Sequence, residues 1–187
     1  MKKMNNKGFS LVELIIVIAI MAILAGAIAP ALIRYIDKSR KSNDVSAAKT
    51  IKTAVETAMT NEAAYEAMTT GTTATLTDID GNSITYAGVV VVTPNTATAN
   101  AGTGVTVTPA NGATIAVAGT TVTDAQTEIG KNIGEKTPAI KYKKAADGTN
   151  TPSDWYVYIS DGGSVVVGLG DGSNFYQLAP TLSKHYQ

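Results

Sequence analysis

The sequence predicts an α+β chain in which a long N-terminal α-helix, a membrane span followed by an amphipathic half, packs against a C-terminal antiparallel β-sheet head. Three observations predict it. Residues 9–29 form an apolar run interrupted by a single charge, Glu13. Residues 37–67 contain neither Gly nor Pro and repeat apolar side chains at helical spacing. From Thr72 onward the composition changes to threonine, alanine, valine and glycine, which suits strands joined by many turns.

The apolar run matches the ~20 residues that a helix needs to cross a bilayer's hydrocarbon core. An acid at the middle of such a helix costs about 2.5–3.5 kcal/mol on insertion scales, less toward the ends, so Glu13 needs a partner, a task or a route to the headgroups. Snorkelling to the membrane surface is the simplest account of it. The preceding residues 1–8 carry Lys2, Lys3 and Lys7, the basic opening of a secretory signal. Such a signal has an apolar region of about 7–15 residues closing on a small-residue cleavage site. Here the run is longer and continues into Pro30 and an amphipathic stretch, with cleavage after Ala25, Ala27 or Ala29 as the competing reading.

The octapeptide Lys7-Gly8-Phe9-Ser10-Leu11-Val12-Glu13-Leu14, followed by the apolar stretch and Pro30, closely resembles the class III signal and N-terminal helix of type IV pilins and related pseudopilins. The resemblance covers residues 7–35 and implies a pilin-like fold. It also implies that a prepilin peptidase cuts between Gly8 and Phe9 and methylates the new amine of Phe9. The precursor is then a single-pass protein of the cytoplasmic membrane with its leader inside and its head outside. The positive-inside count does not choose this side, because Arg34, Lys38, Arg40 and Lys41 after the span offset the lysines before it. The implied partners are further pilin subunits in a homopolymer, the prepilin peptidase, a membrane assembly platform and the membrane itself. Within the polymer, Glu13 is expected to pair with the Phe9 amine of another subunit. Such a pair specifies register, the best-attested use of a buried ion pair.

The segments expected on this basis are a leader at 1–8, a transmembrane and filament-core helix at 9–29, an amphipathic helical half at 30–70 and a β-rich head at 71–187. A helix over 11–69 would run ~90 Å at ~1.5 Å per residue, so its first half is expected to protrude from the head. Pro30 has no N–H for the carbonyl of Gly26, so a kink is expected at Gly26 and Pro30, either static or a hinge used on leaving lipid. Val45, Ala48, Ile51, Val55, Ala58, Tyr65 and Met68 form the predicted buried stripe, and Gly71 the stop.

Strands are predicted over 74–77, 83–86, 89–93, 104–108, 114–118, 140–143, 155–160, 164–168 and 175–178. A short helix is predicted over 123–132, with Thr123 as its N-cap and Asp124 in the first turn. Turns fall at Asp80-Gly81-Asn82, Asn111-Gly112, Asp147-Gly148, Asp161-Gly162-Gly163 and Asp171-Gly172. Trp155, Val157 and Ile159 should face the long helix, leaving Tyr156 and Tyr158 to point outward or into a neighbour. The biased stretch 93–119 reads as an exposed loop region, a candidate for threonine-linked glycans.

Chemistry is sparse. The 187 residues contain no Cys and balance 15 basic against 15 acidic side chains, which removes disulfides, thiolate metal sites and a general attraction for nucleic acid. The single His, His185, reads as a frayed end rather than a catalytic base. Asp78, Asp80 and Asn82 match only part of a calcium loop, and Asp-Gly turns explain them, Asp161 and Asp171 more cheaply. No catalytic residue, metal ligand or cofactor is assigned. Lys131, Lys136, Lys141, Lys143 and Lys144 read as a solvated edge. The expected function is a structural subunit, a major pilin, of a type IV pilus serving adhesion or surface motility. The alternative is a minor pilin or a pseudopilin of type II secretion or DNA uptake, and a single-pass surface enzyme or binding protein is disfavoured.

Overall fold

The computed structural model describes residues 9–69, 73–109, 122–144, 151–170 and 174–187. The chain divides into two compact units between Ser39 and Arg40. The first contains the apolar part of helix α1 (Leu11–Ala58). The helix is continuous through Pro30, so the proline does not end it.

In the second unit, α1 buries Asp44, Ala48, Ile51, Ala54, Val55 and Ala58, one stripe at helical spacing. Val45 and Tyr65 of the predicted stripe are only half-buried. The predicted helix over 11–69 is in fact two helices. Thr60 and Asn61 make short-range bonds to the carbonyls of Thr57 and Ala58, both at 3.1 Å. The Asn61 carboxamide oxygen then accepts from the N–H groups of Ala63 (3.0 Å) and Ala64 (3.4 Å), capping α2 (Glu62–Thr69). A short polar side chain that satisfies a new helix start competes with continuation of the old one. The predicted stop at Gly71 lies outside the described residues.

A hairpin of β1 (Ala74–Thr77) and β2 (Ser83–Tyr86) follows α2. Its loop closes on Asp78, whose carboxylate accepts from Asp80 N–H (3.0 Å), Asn82 N–H (2.7 Å) and Asn82 Nδ2 (2.8 Å), while Gly81 supplies φ +87°. The main sheet is antiparallel with order β4-β3-β5-β6-β7. Its strands are β3 (Gly88–Val92), β4 (Val105–Pro109), β5 (Asp154–Ile159), β6 (Val165–Gly170) and β7 (Phe175–Ala179). Helix α3 (Val122–Ile133) precedes β5. It begins before Thr123, which therefore sits inside the helix, its carbonyl accepting from Thr127 Oγ1 at 2.8 Å, and is not the N-cap.

Alternation along β5 divides the head into layers. Trp155, Val157 and Ile159 join Ala48, Ile51, Val55, Ala125 and Ile129 in the main core, as predicted for the helix-facing side. On the opposite face, Tyr158 and Phe175 pack with Ile84 of the hairpin, and the Tyr86 and Tyr158 rings lie 4.7 Å apart. The tyrosine face is thus covered by the chain's own β1–β2 hairpin rather than left wholly outward.

One further expectation is corrected. Residues 140–143 form no strand, although Ile140 and Tyr142 are buried. The successive N–H groups of Lys141 and Tyr142 both bond the carboxylate of Asp44, so neither is left for a neighbouring strand. The described part of 93–119 that precedes β4 is a largely exposed loop, as expected, but it is tied to the fold at two points. Thr137 Oγ1 donates to Thr93 O (2.6 Å) and accepts from Thr96 N–H (2.7 Å), and Ala99 is fully buried. The predicted strand 114–118 and the turns at Asn111-Gly112, Asp147-Gly148 and Asp171-Gly172 lie outside the described residues.

Ala99 packs on α3 through Gly130, where an added Cβ would meet the carbonyl oxygen of Ala99 at 1.8 Å. Gly130→Ala is therefore expected to destabilise the head by about 2 kcal/mol through overpacking, although alanine favours a helix by ~1 kcal/mol over glycine. Thermal unfolding followed by fluorescence of Trp155 reads this; a midpoint above wild type would show that propensity wins.

Candidate assembly site at the helix N-terminus

Phe9, Ser10 and the first turns of α1 carry the residues expected to matter for assembly. Gly8, the other side of the expected cleavage, lies outside the described residues, and Phe9 is 79% exposed. Ser10 is the N-cap of α1, its carbonyl accepting from Leu14 N–H at 3.2 Å. Glu13 sits at the third helical position and its Oε2 accepts from Ser10 N–H at 2.9 Å. This is the acidic limb of a capping box, and the carboxylate also lies where the helix dipole favours negative charge. The signal, Ser10-Leu11-Val12-Glu13 ahead of an apolar run, stands in the sequence. Glu13 thus has a task inside its own chain, with Oε1 unpartnered among the described residues.

Residues 9–36 are exposed throughout, including Leu11, Ile15, Ile18, Met21, Leu24, Ile28 and Leu32. Helix α1 is long and apolar enough to cross a membrane. At roughly 25 cal/mol per Å² of apolar surface, such a helix demands another environment, lipid or other apolar helices. An added Cβ at Gly26 would meet nothing within 4 Å, so no neighbour among the described residues requires glycine there.

A second constellation, which sequence reasoning missed, anchors the head where α1 enters it. Asp44 is 0% exposed; its Oδ1 accepts from Lys141 N–H (2.8 Å) and its Oδ2 from Tyr142 N–H (2.7 Å). Burial pushes the Asp44 carboxyl up from the usual carboxylate range, against the opposing pull of these two backbone bonds and of Lys141. Beside it, Tyr186 Oη donates to Tyr142 O at 3.3 Å, and burial, then the charge of Asp44, raise its phenol well above the ordinary range. His185 is not frayed: its Nε2 lies 2.7 Å from Lys144 O and its ring packs between Tyr142 and Tyr176, with centroids at 5.7 and 5.2 Å. Lys41 Nζ donates to Gln187 O at 3.2 Å and stands 5.1 Å from the Tyr142 ring centroid. The aromatic cluster explains the order of residues 184–187, and its signal in the sequence, Tyr142, Tyr176 and Tyr186, is too dispersed to read.

Lys131, Lys136, Lys141, Lys143 and Lys144 are all exposed. Asp78 spends its carboxylate on its own loop, and among the described residues no group of three or more His, Cys, Asp or Glu could hold a metal ion.

An apolar helix of membrane-crossing length, with its distal half packed on an antiparallel sheet, defines a pilin-like α+β protein. Residues 3–29 match the family model for the prokaryotic N-terminal methylation motif, the leader of type IV pilins and pseudopilins. The motif supports a type IV pilin-like or pseudopilin subunit, a structural rather than enzymatic class, and implies processing by a prepilin peptidase and pilus-type assembly. No solved structure matches the chain.

Proposed function

We propose that the chain is the major structural subunit of a type IV pilus. Residues 1–8 are the leader, removed between Gly8 and Phe9, and Phe9 carries the N-methyl group. Residues 9–29 span the cytoplasmic membrane in the precursor and form the filament core after assembly. Residues 30–70 link that core to the head, with Gly26 and Pro30 as the place where the helix gives on leaving lipid. The β-rich head at 71–187 coats an extracellular filament that serves adhesion or surface motility.

The observation that carries this reading is the conjunction of the leader motif with an exposed apolar helix that has no use for water. In a filament, copies of that helix bury one another's apolar faces. Glu13 Oε1 meets the Phe9 amine of a neighbouring subunit, so that two costly charges answer each other and set axial register. Surface filaments sheared from cells test it by electron microscopy and mass spectrometry. Abundant fibres composed mainly of this chain, beginning at methylated Phe9, are expected. Trace incorporation into fibres of another subunit would select the minor pilin, and absence from surface fibres the pseudopilin.

A further inference from the structure

The β1–β2 hairpin leaves part of the tyrosine face open. Between the hairpin tip, β6, β7 and residues 181–187 lies a cleft of about 510 Å³, within the ~300–1,000 Å³ typical of small-molecule sites. Ile84, Tyr158 and Val166 line it with apolar surface, and Asn82, Ser164 and Gln177 with amide and hydroxyl groups.

The walls are tied together before any ligand arrives. Ile79 N–H donates to Phe175 O (3.0 Å), and Ser183 N–H to Gln177 O (2.8 Å). Lys184 N–H donates to Asp80 Oδ2 (3.0 Å), joining the hairpin tip to the last segment. The Tyr158 and Phe175 rings meet edge to face at 4.9 Å. A cleft so braced costs little ordering on binding.

Its chemistry narrows the ligand. The charged lining groups are Asp78, Asp80 and Lys184. Asp78 already accepts from three loop donors and Asp80 from Lys184 N–H. Two carboxylates against one ammonium disfavour an anion. A wholly apolar molecule would strand the amide and hydroxyl groups without water. Gln177 Nε2 donates to Thr181 Oγ1 (2.7 Å), which leaves its carboxamide oxygen as an acceptor. A molecule with one apolar face and a border of hydroxyls satisfies both parts of the lining.

We propose that this cleft binds a neutral saccharide, one ring face resting on Val166 and on the exposed edges of Ile84 and Tyr158, which are 8% and 9% exposed, and its hydroxyls bonded by Asn82, Ser164 and Gln177. The site lies wholly in the head and holds whichever filament role the chain performs. Copies arrayed along a polymer would turn a weak single site into avid attachment by effective concentration.

Saturation-transfer NMR on the full chain in a sugar-free detergent tests it, with D-galactose, N-acetylgalactosamine, D-glucose and N-acetylglucosamine as probes. Transfer to at least one sugar is expected. Ser164→Phe, which fills the cleft from an exposed position, should weaken that sugar at least tenfold. Gln177→Leu, of similar size but without the amide, should weaken it severalfold and serves as the deciding variant if Ser164→Phe shifts the unfolding midpoint. No transfer from any of the four sugars, or affinity unchanged in the deciding variant, would overturn the proposal.

Discussion

Cells carrying Glu13→Gln are expected to lose surface filaments as fully as cells carrying Glu13→Ala, with yields at least tenfold below wild type, while the processed subunit accumulates in the membrane. The glutamine variant separates the two tasks of this side chain. Glutamine serves in a capping box as glutamate does, so it preserves the bond from Ser10 N–H seen at 2.9 Å. It removes only the charge that a neighbouring Phe9 amine would need. Filament yield is read by shearing and electron microscopy, and membrane level by immunoblot. If Glu13→Gln assembles normally and Glu13→Ala does not, the local cap is the requirement and the intersubunit pair is wrong.

Asp44→Ala is expected to lower head stability by about 3 kcal/mol, because it orphans two N–H groups in a buried setting at roughly 1–3 kcal/mol each. For a head of this size that corresponds to a fall of about 6–12 °C in the unfolding midpoint. Fluorescence of the single Trp, Trp155, reports it, since that side chain is fully buried and its Nε1 donates to Pro138 O at 3.0 Å. Asp44→Asn keeps one acceptor and places an NH₂ against the other N–H, so about half the loss is expected. The pH dependence has a definite sign. The Asp44 carboxyl is raised in the folded protein from 3.8, chiefly by burial. The folded state therefore holds the proton more tightly than the unfolded chain, and ionisation weakens the fold as pH rises from 3.8 through the folded value. The advantage of wild type over Asp44→Ala should grow as pH is lowered through that window. An advantage that shrinks on acidification would mean that the two backbone bonds outweigh burial.

The elements legible in the sequence are those decided by neighbouring residues. The hairpin strands β1 and β2 match their expected limits because a Thr-rich pair of short strands flanks Asp78–Asn82, whose loop is closed by its own side chains. The apolar run, the leader motif and the alternation through Trp155–Ile159 are equally local. The break at Asn61 was also available locally, as a helix-capping residue, but the Gly- and Pro-free stretch around it argued for continuity.

What stayed illegible depends on atoms far away in the chain. Residues 140–143 alternate like a strand, yet the N–H groups of Lys141 and Tyr142 are claimed by a carboxylate nearly a hundred positions earlier. His185 sits near the end of the sequence and is held by a cluster of tyrosines from three segments. The saccharide cleft exists only where hairpin, sheet and last segment meet.

Two carboxylates mark the division. Glu13 stands out in the sequence because the cost of a charge in an apolar helix is set by the residues around it, and so the sequence by itself determined the leader, the membrane-length helix and the class of subunit. Asp44 looks like any acid on the polar side of a helix. Only the tertiary structure made it the buried anchor of the head, because a carboxylate is worth burying only when folding delivers donors to both of its oxygens.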